Sequence, residues 1–342
     1  MKAAIVDKPG SIVVADIPQP AVGPYDCLVE VLYGATCTGT DLHIINNTFP
    51  WPIEYPTILG HESVGRVVEV GPRVRNLRLG DVVTRVATPP VGEFDVNWGG
   101  FAQYAIARDH FAMAADGLPA EQWTPYRTTR VLPTSIEPAA ATMIITWRET
   151  LSYLMRMEAV AGGSMLVLGS GGNGLSFVAH AANRGSMAVA MVGSTSRAAS
   201  AKAVGVTHFY SYSDTGWLDR AAAEHPQGFD FIVDAIGKEG MANQALPLLA
   251  EGGTIGIYGL DNYGKCLLDP SRARGSFKVK SLAYDEAQAH DAVIQDVLMG
   301  KLNASNWIDI SHPYDLKDIA AAYQDLASRK AIKSLVRVTA PN

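Results

Sequence analysis

Four residues of this chain have the side chains to hold a metal ion together: Cys37, His61, Glu62 and Glu137. Cys37 lies in "GATCTGTDLH", residues 34–43. His61 and Glu62 lie in "PTILGHESVGRVVEVG", and Glu137 in "IEPAAA". Zinc takes thiolate, imidazole and carboxylate ligands, and a catalytic zinc keeps three protein ligands and one open position. Cys37, His61 and one carboxylate supply that set. Each residue alone has a plainer reading, since a lone cysteine is more often core and "GHE" more often a loop before a strand. Three widely separated cysteines form no disulfide framework. Cys27 and Cys266 have no ligand-type neighbours at useful spacing and read as packing residues. His110, His180, His208, His225, His290 and His312 show no metal partner in the sequence.

A second group of residues points to a nucleotide. "LVLGSGGNG" places Gly169, Gly171 and Gly174 in a G-x-G-x-x-G pattern after an apolar strand and at the opening of an amphipathic helix. The first glycine permits a tight turn, the second admits a pyrophosphate close to the backbone, and the third lets helix and strand pack. Ser170, Gly172 and Asn173 complete the loop, whose free N–H groups face the phosphates. A site for NAD carries Asp or Glu about 20 residues on, at the end of the next strand, for the ribose 2′-hydroxyl. Here that strand runs into "GSTSRAASAK", and no acid occurs between Gly174 and Asp214. Small hydroxyls and an arginine suit a 2′-phosphate. Ser194, Thr195 and Arg197 are therefore the expected contacts, with NADP(H) as cofactor. Ser194 or Ser196 would also serve as a helix cap, which is compatible with phosphate binding.

These residues need two kinds of scaffold. Up to about residue 140 the chain reads as short β-branched runs such as "CLVEVLYG", "SVGRVVEVG" and "DVVTRVA", separated by Pro- and Gly-rich turns. From "SMLVLGSGG" onward, apolar strands alternate with Ala-rich helical stretches, which predicts a parallel sheet covered on both faces. Two helices and a closing strand, "KSLVRV", end the chain. At 342 residues, 48% hydrophobic and 18% charged, it is globular and long enough for two domains. The net charge of −6 does not favour nucleic acid or an anionic membrane surface. No apolar signal core or spanning run is present, so a cytoplasmic setting with no membrane partner is expected.

The order of Cys and T-D-x-H, then G-H-E, then E-P, then a dinucleotide fold resembles the zinc-dependent medium-chain alcohol and polyol dehydrogenases. "LGDVV", "GGFAQYAI", "IVDAIG", "EGGTIGIYG" and "AIKSLVRV" follow in the family's order. The resemblance implies an α/β fold: a GroES-like, mostly-β catalytic domain over 1–143 and 291–342, and a Rossmann, doubly wound parallel-sheet cofactor domain over 144–290. It implies hydride transfer between NADP(H) and an alcohol, polyol or sugar hydroxyl or its carbonyl, at one catalytic Zn2+. In the sorbitol dehydrogenase-like branch, Glu62 and Glu137 match carboxylates at or beside the metal. Thr40 matches a hydroxyl next to the substrate oxygen and His43 a relay histidine; both groups donate and accept protons. Asp41 is mainly structural there. Ile236, Gly259 and Lys333 fall in motifs that line the cofactor. A small-molecule substrate and a homodimer or homotetramer are also implied.

Two features depart from the family. Its C-x-T-D is one residue longer here, Cys37-Thr38-Gly39-Thr40-Asp41. Aligning "GTDLH" would put Thr38 at the ligand position, whereas a bulge at Gly39 would return it to Cys37. The cysteine-rich structural zinc loop is missing between Asp81 and Phe101, so at most one metal, a catalytic one, is expected. Candidate substrate-facing residues are Thr40, Phe49, Trp51 and Trp98. The competing readings are a zinc-free quinone or enoyl reductase and a non-catalytic NADPH-binding sensor.

Overall fold

The computed structural model describes residues 1–159, 161–186 and 188–339. Its strands run in the order β1 (Lys2–Lys8), β2 (Ser11–Asp16), β3 (Asp26–Ala35), β4 (Thr57–Ile58), β5 (Glu62–Val70), β6 (Val82–Thr84), β7 (Asp95–Val96), β8 (Tyr104–Arg108) and β9 (Arg130–Val131). There follow β10 (Met165–Leu168), β11 (Val189–Gly193), β12 (His208–Ser211), β13 (Phe229–Asp234), β14 (Leu249–Ile257), β15 (Lys278–Lys280), β16 (Tyr314–Asp315) and β17 (Leu335–Arg337). The chain divides into two compact units, Met1–Ile145 with Ile294–Asn342, and Thr146–Val293. Both crossings fall inside helices, Met143–Met157 and Glu286–Leu298, which explains the lack of a Pro- or Gly-rich linker there.

The first unit is mostly β. One sheet has the order β2-β1-β4-β7, and a larger one the order β16-β17-β3-β5-β6-β9, with β8 also paired to β3. Alternating and continuous apolar runs in β1, β3 and β5 put Val6, Val29, Val31 and Val67 into one core, which Phe101 joins and to which the late helix Ile319–Ala327 adds Tyr323 and Leu326. The register carries the functional consequence. Ala35 pairs with Glu62 across β3 and β5, and with Leu335 across β3 and β17. Three distant stretches, at Cys37, His61–Glu62 and Lys333, thereby meet at one end of three neighbouring strands.

The second unit is a six-stranded parallel sheet of order β12-β11-β10-β13-β14-β15. That is the doubly wound order 3-2-1-4-5-6, with its reversal between β10 and β13. Every residue of β10 and β11 is buried, as strands covered on both faces require. Among the described residues no helix is long and apolar enough to cross a membrane.

Candidate functional site

In the first unit, Cys37, His61 and Glu62 are 5%, 3% and 1% exposed, and one ligand atom of each lies within 4.8 Å of the others. The loop around Cys37 explains how. The amide of Asp41 donates to the Cys37 carbonyl at 3.0 Å, closing a turn that takes up the additional residue. Thr38 is exposed and Cys37 is buried, so the turn presents Cys37 and not Thr38. Gly39 does not adopt a positive φ, so the expected glycine bulge is replaced by this wider turn. His61 follows Gly60, at φ +106, where any β-carbon would press on the Phe101 amide.

Buried partners surround the cluster. Asp41 accepts from the Cys37 amide at 2.9 Å and from the Tyr323 hydroxyl at 2.8 Å. Its other oxygen faces His61 Nδ1 at 3.4 Å, and His61 Nε2 faces Glu62 Oε1 at 3.5 Å. This orientation leaves Nε2 toward the Glu62 carboxylate, as a metal-binding imidazole backed by a second carboxylate is arranged. Burial alone would lower the His61 pKa, but the neighbouring Asp41, Cys37 and Glu62 groups outweigh it and hold it well above the ordinary value. A metal ion must displace that proton. Asp41, set aside in the sequence as structural, thus positions both Cys37 and His61. Tyr323 was missed, because nothing local links it to a loop 282 residues away.

Lys333, expected among the cofactor-lining motifs, meets Glu62 in the structure. Its Nζ donates to Glu62 Oε1 at 2.6 Å, to Glu62 Oε2 at 2.8 Å and to the Thr36 carbonyl at 3.2 Å. An ammonium has three donors, and all are used within the first unit, so Lys333 is the counter-charge of Glu62. Glu137, expected at or beside the metal, lies apart from the cluster. It is exposed, caps the helix Pro138–Ala141 without a side-chain bond, and is not part of the cluster.

Thr40 Oγ1 lies 3.9 Å from Cys37 Sγ, and His43 Nδ1 lies 2.8 Å from Thr48 Oγ1. Trp98 tilts against the His61 ring at 5.2 Å, under the Arg85 guanidinium. Phe49 and Trp51 meet edge to face at 5.2 Å, with Trp51 about half exposed. Cys27 is core, its thiol pushed up to about 12 mainly by burial. A buried thiol, imidazole and carboxylate in this arrangement fit zinc by donor type.

In the second unit the glycine loop follows β10. Gly169 takes φ +112, where a β-carbon would press on the Ile236 side chain at 2.7 Å. A β-carbon on Gly171 would meet nothing, whereas one on Gly174 would overlap the Gly169 carbonyl oxygen. Turn, open approach and close packing are thus divided among the three glycines as the motif demands. Gly171 caps the helix Gly172–Asn183 without a side chain, and Asn173 donates to the Tyr258 hydroxyl at 3.1 Å. Gly259 lies directly against the Ile236 carbonyl.

At the end of β11, the Ser194 amide donates to Ser170 Oγ at 3.1 Å, joining the two loops. Ser194 and Ser196 hydroxyls lie 3.0 Å apart, and Thr195 bonds Ser211 at 2.9 Å. Arg197 ends this short turn. The nearest following acid, Asp214, is committed to Arg220 and to the Gly216 amide.

Known proteins match stretches of both units. Residues 23–117 match the alcohol dehydrogenase GroES-like domain, and residues 172–291 match the zinc-binding dehydrogenase family. The chain is 27% identical to D-arabinitol dehydrogenase 1 of Uromyces fabae, over 98% of this chain and 97% of that one. It is 31% identical to an NADP-dependent isopropanol dehydrogenase of Thermoanaerobacter brockii, over 69% of each. The solved structure of 2R,3R-butanediol dehydrogenase from Bacillus subtilis shares the fold, with TM-score 0.81 and 21% identity over 100% of this chain and 99% of that one. The chain belongs to the zinc-dependent medium-chain alcohol dehydrogenase family, oxidoreductases that act on CH–OH groups.

Proposed function

We propose that this protein is an NADP(H)-dependent oxidoreductase that interconverts an alcohol or polyol hydroxyl and its carbonyl, with Cys37, His61 and Glu62 holding one zinc. The observation that carries the reading is the buried thiol–imidazole–carboxylate cluster, its ligand atoms within 4.8 Å. That set supports a zinc enzyme over a zinc-free quinone or enoyl reductase on the same fold. When bound, zinc supplies Lewis acidity toward the substrate oxygen, and the nicotinamide carries the hydride.

The chain's own residues do the rest. Asp41 holds His61 with Nε2 toward the cluster, and Lys333 balances the buried charge of Glu62. The Thr40 hydroxyl, beside Cys37, would accept the proton of the substrate hydroxyl while giving up its own, and His43, bonded to Thr48, would carry a proton on toward water. Trp98, against His61, forms an apolar wall that excludes water. Ser194, Thr195 and Arg197 take the 2′-phosphate; the absence of a carboxylate at this strand end and the NADP-dependent relative from Thermoanaerobacter brockii support that choice.

A panel of linear, cyclic and polyhydric alcohols with NADP⁺ and NAD⁺ tests the reading. At least one alcohol is expected to turn over, with NADP⁺ preferred in kcat/KM. Arg197→Ala is expected to lose about tenfold or more toward NADP⁺ and little toward NAD⁺. Equal losses with both cofactors would remove the phosphate assignment.

A further inference from the structure

His208, Glu224 and His225 form a second cluster, in the cofactor-binding unit and apart from the residues discussed above. One nitrogen of each imidazole and one carboxylate oxygen lie within 4.8 Å of one another. The sequence shows two isolated histidines, and the fold brings them together. His208 is the first residue of β12, Glu224 the last of the helix Trp217–Glu224, and His225 its C-cap. The imidazoles meet edge to face at 4.6 Å.

Each member is held from behind. Thr207 Oγ1, itself donating to the Val189 carbonyl at 3.0 Å, lies 3.0 Å from His208 Nδ1. The Tyr210 hydroxyl donates to Glu224 Oε2 at 2.6 Å, and the His225 ring packs on Phe229 at 4.3 Å. His225 Nε2 is buried with no hydrogen-bond partner. A buried ring nitrogen left unpaired is costly unless something takes its lone pair or its proton.

We infer that His208, Glu224 and His225 form a second site for a divalent cation of the late first-row type, such as zinc or nickel. Two imidazoles and a carboxylate are donors for such ions, with backing hydrogen bonds fixing their orientation. Calcium and magnesium, which prefer all-oxygen ligands, do not fit. Because His208 opens β12, the site lies at the amino edge of the parallel sheet, opposite the carboxyl edge that carries the Gly169–Gly174 loop. The ion would tie β12 to the helix before β13 and take no part in hydride transfer.

The test is zinc titration of the chelator-stripped full-length protein by calorimetry, with a parallel cobalt titration read by absorbance. Cobalt at Cys37 gives a sulfur-to-metal charge-transfer band, and cobalt at His208–Glu224–His225 gives none. Wild type is expected to bind two ions per chain. His225→Gln and Glu224→Gln are each expected to retain the sulfur band and lose the second ion, or bind it at least about tenfold more weakly. His208→Gln serves as a third variant, and a thermal melt confirms that each one folds. A wild type with no ion beyond the sulfur-bound one would overturn the inference, and so would a second ion of unchanged affinity in all three variants. The sulfur band reports on Cys37 alone, so failure of either site is seen independently of the other.

Discussion

Lys333 gives all three of its hydrogens to Glu62 and the Thr36 carbonyl, inside a pocket where Cys37, Asp41 and His61 are also buried. Removing one member of a buried ion pair costs about 3–5 kcal/mol, because the remaining charge is stranded. Lys333→Met is therefore expected to destabilise the chelator-treated protein by about that much in urea unfolding. Adding Glu62→Gln should restore a good part of the loss, because no charge is then left unpaired. If the two effects simply add, the pair is not coupled as the 2.6 and 2.8 Å contacts require. At this scale the sequence was only partly readable. Cys37, His61 and Glu62 could be named from residue type and family pattern. The contact of Lys333 with Glu62 is not readable there, because no rule of spacing shows that β17 lies beside β3. Glu137 matches the family's carboxylate at or beside the metal, and the sequence does not show that its side chain is exposed and lies outside the cluster.

At the scale of elements, the glycine loop and its helix were legible because their geometry is local. A strand, a positive-φ turn and a helix start need adjacent residues, and those residues are printed in order. The structure adds that the three glycines do separable work. Gly171→Ala meets open space, so the unfolding midpoint should hold while NADPH affinity falls about tenfold, as the methyl group blocks the pyrophosphate. Gly174→Ala collides with the Gly169 carbonyl, so stability should fall by about 1–3 kcal/mol whatever the ligand. Equal destabilisation of both variants, measured by thermal melts with and without NADPH, would contradict this division. The turn that presents Cys37 was harder to read, because one additional residue admits either a bulge or a wider turn. The Asp41-to-Cys37 hydrogen bond decides for the wider turn. His208 and His225 look isolated in the sequence for a similar reason: a strand start and a helix end meet only once the sheet has formed.

For the molecule as a whole, stability should depend on pH through His180. This residue is fully buried in the helix Gly172–Asn183, with Nε2 3.0 Å from the Trp147 carbonyl and Nδ1 unpaired. Burial, aided by the Arg184 charge, pushes its imidazole down to about 3. Above the unfolded value of about 6.5 neither state binds the proton, and the group leaves stability unchanged. As pH falls below that, the unfolded chain takes the proton and the folded chain does not. Stability is then lost by up to about 1.4 kcal/mol per pH unit until the folded value is reached. Urea midpoints at about pH 7.5 and about pH 5 should fall more for wild type than for His180→Gln. The same fall in both would assign the acid sensitivity to other groups.

The central claim is that Cys37 is a metal ligand in a cluster with His61 and Glu62, and cobalt substitution tests it most directly. Wild type should show one sulfur-to-cobalt charge-transfer band per chain, together with alcohol-dependent reduction of NADP⁺. Cys37→Ser should lose both while its melting profile keeps a single cooperative transition. A wild-type protein that binds cobalt without that band, or a Cys37→Ser protein that retains it, would contradict the assignment.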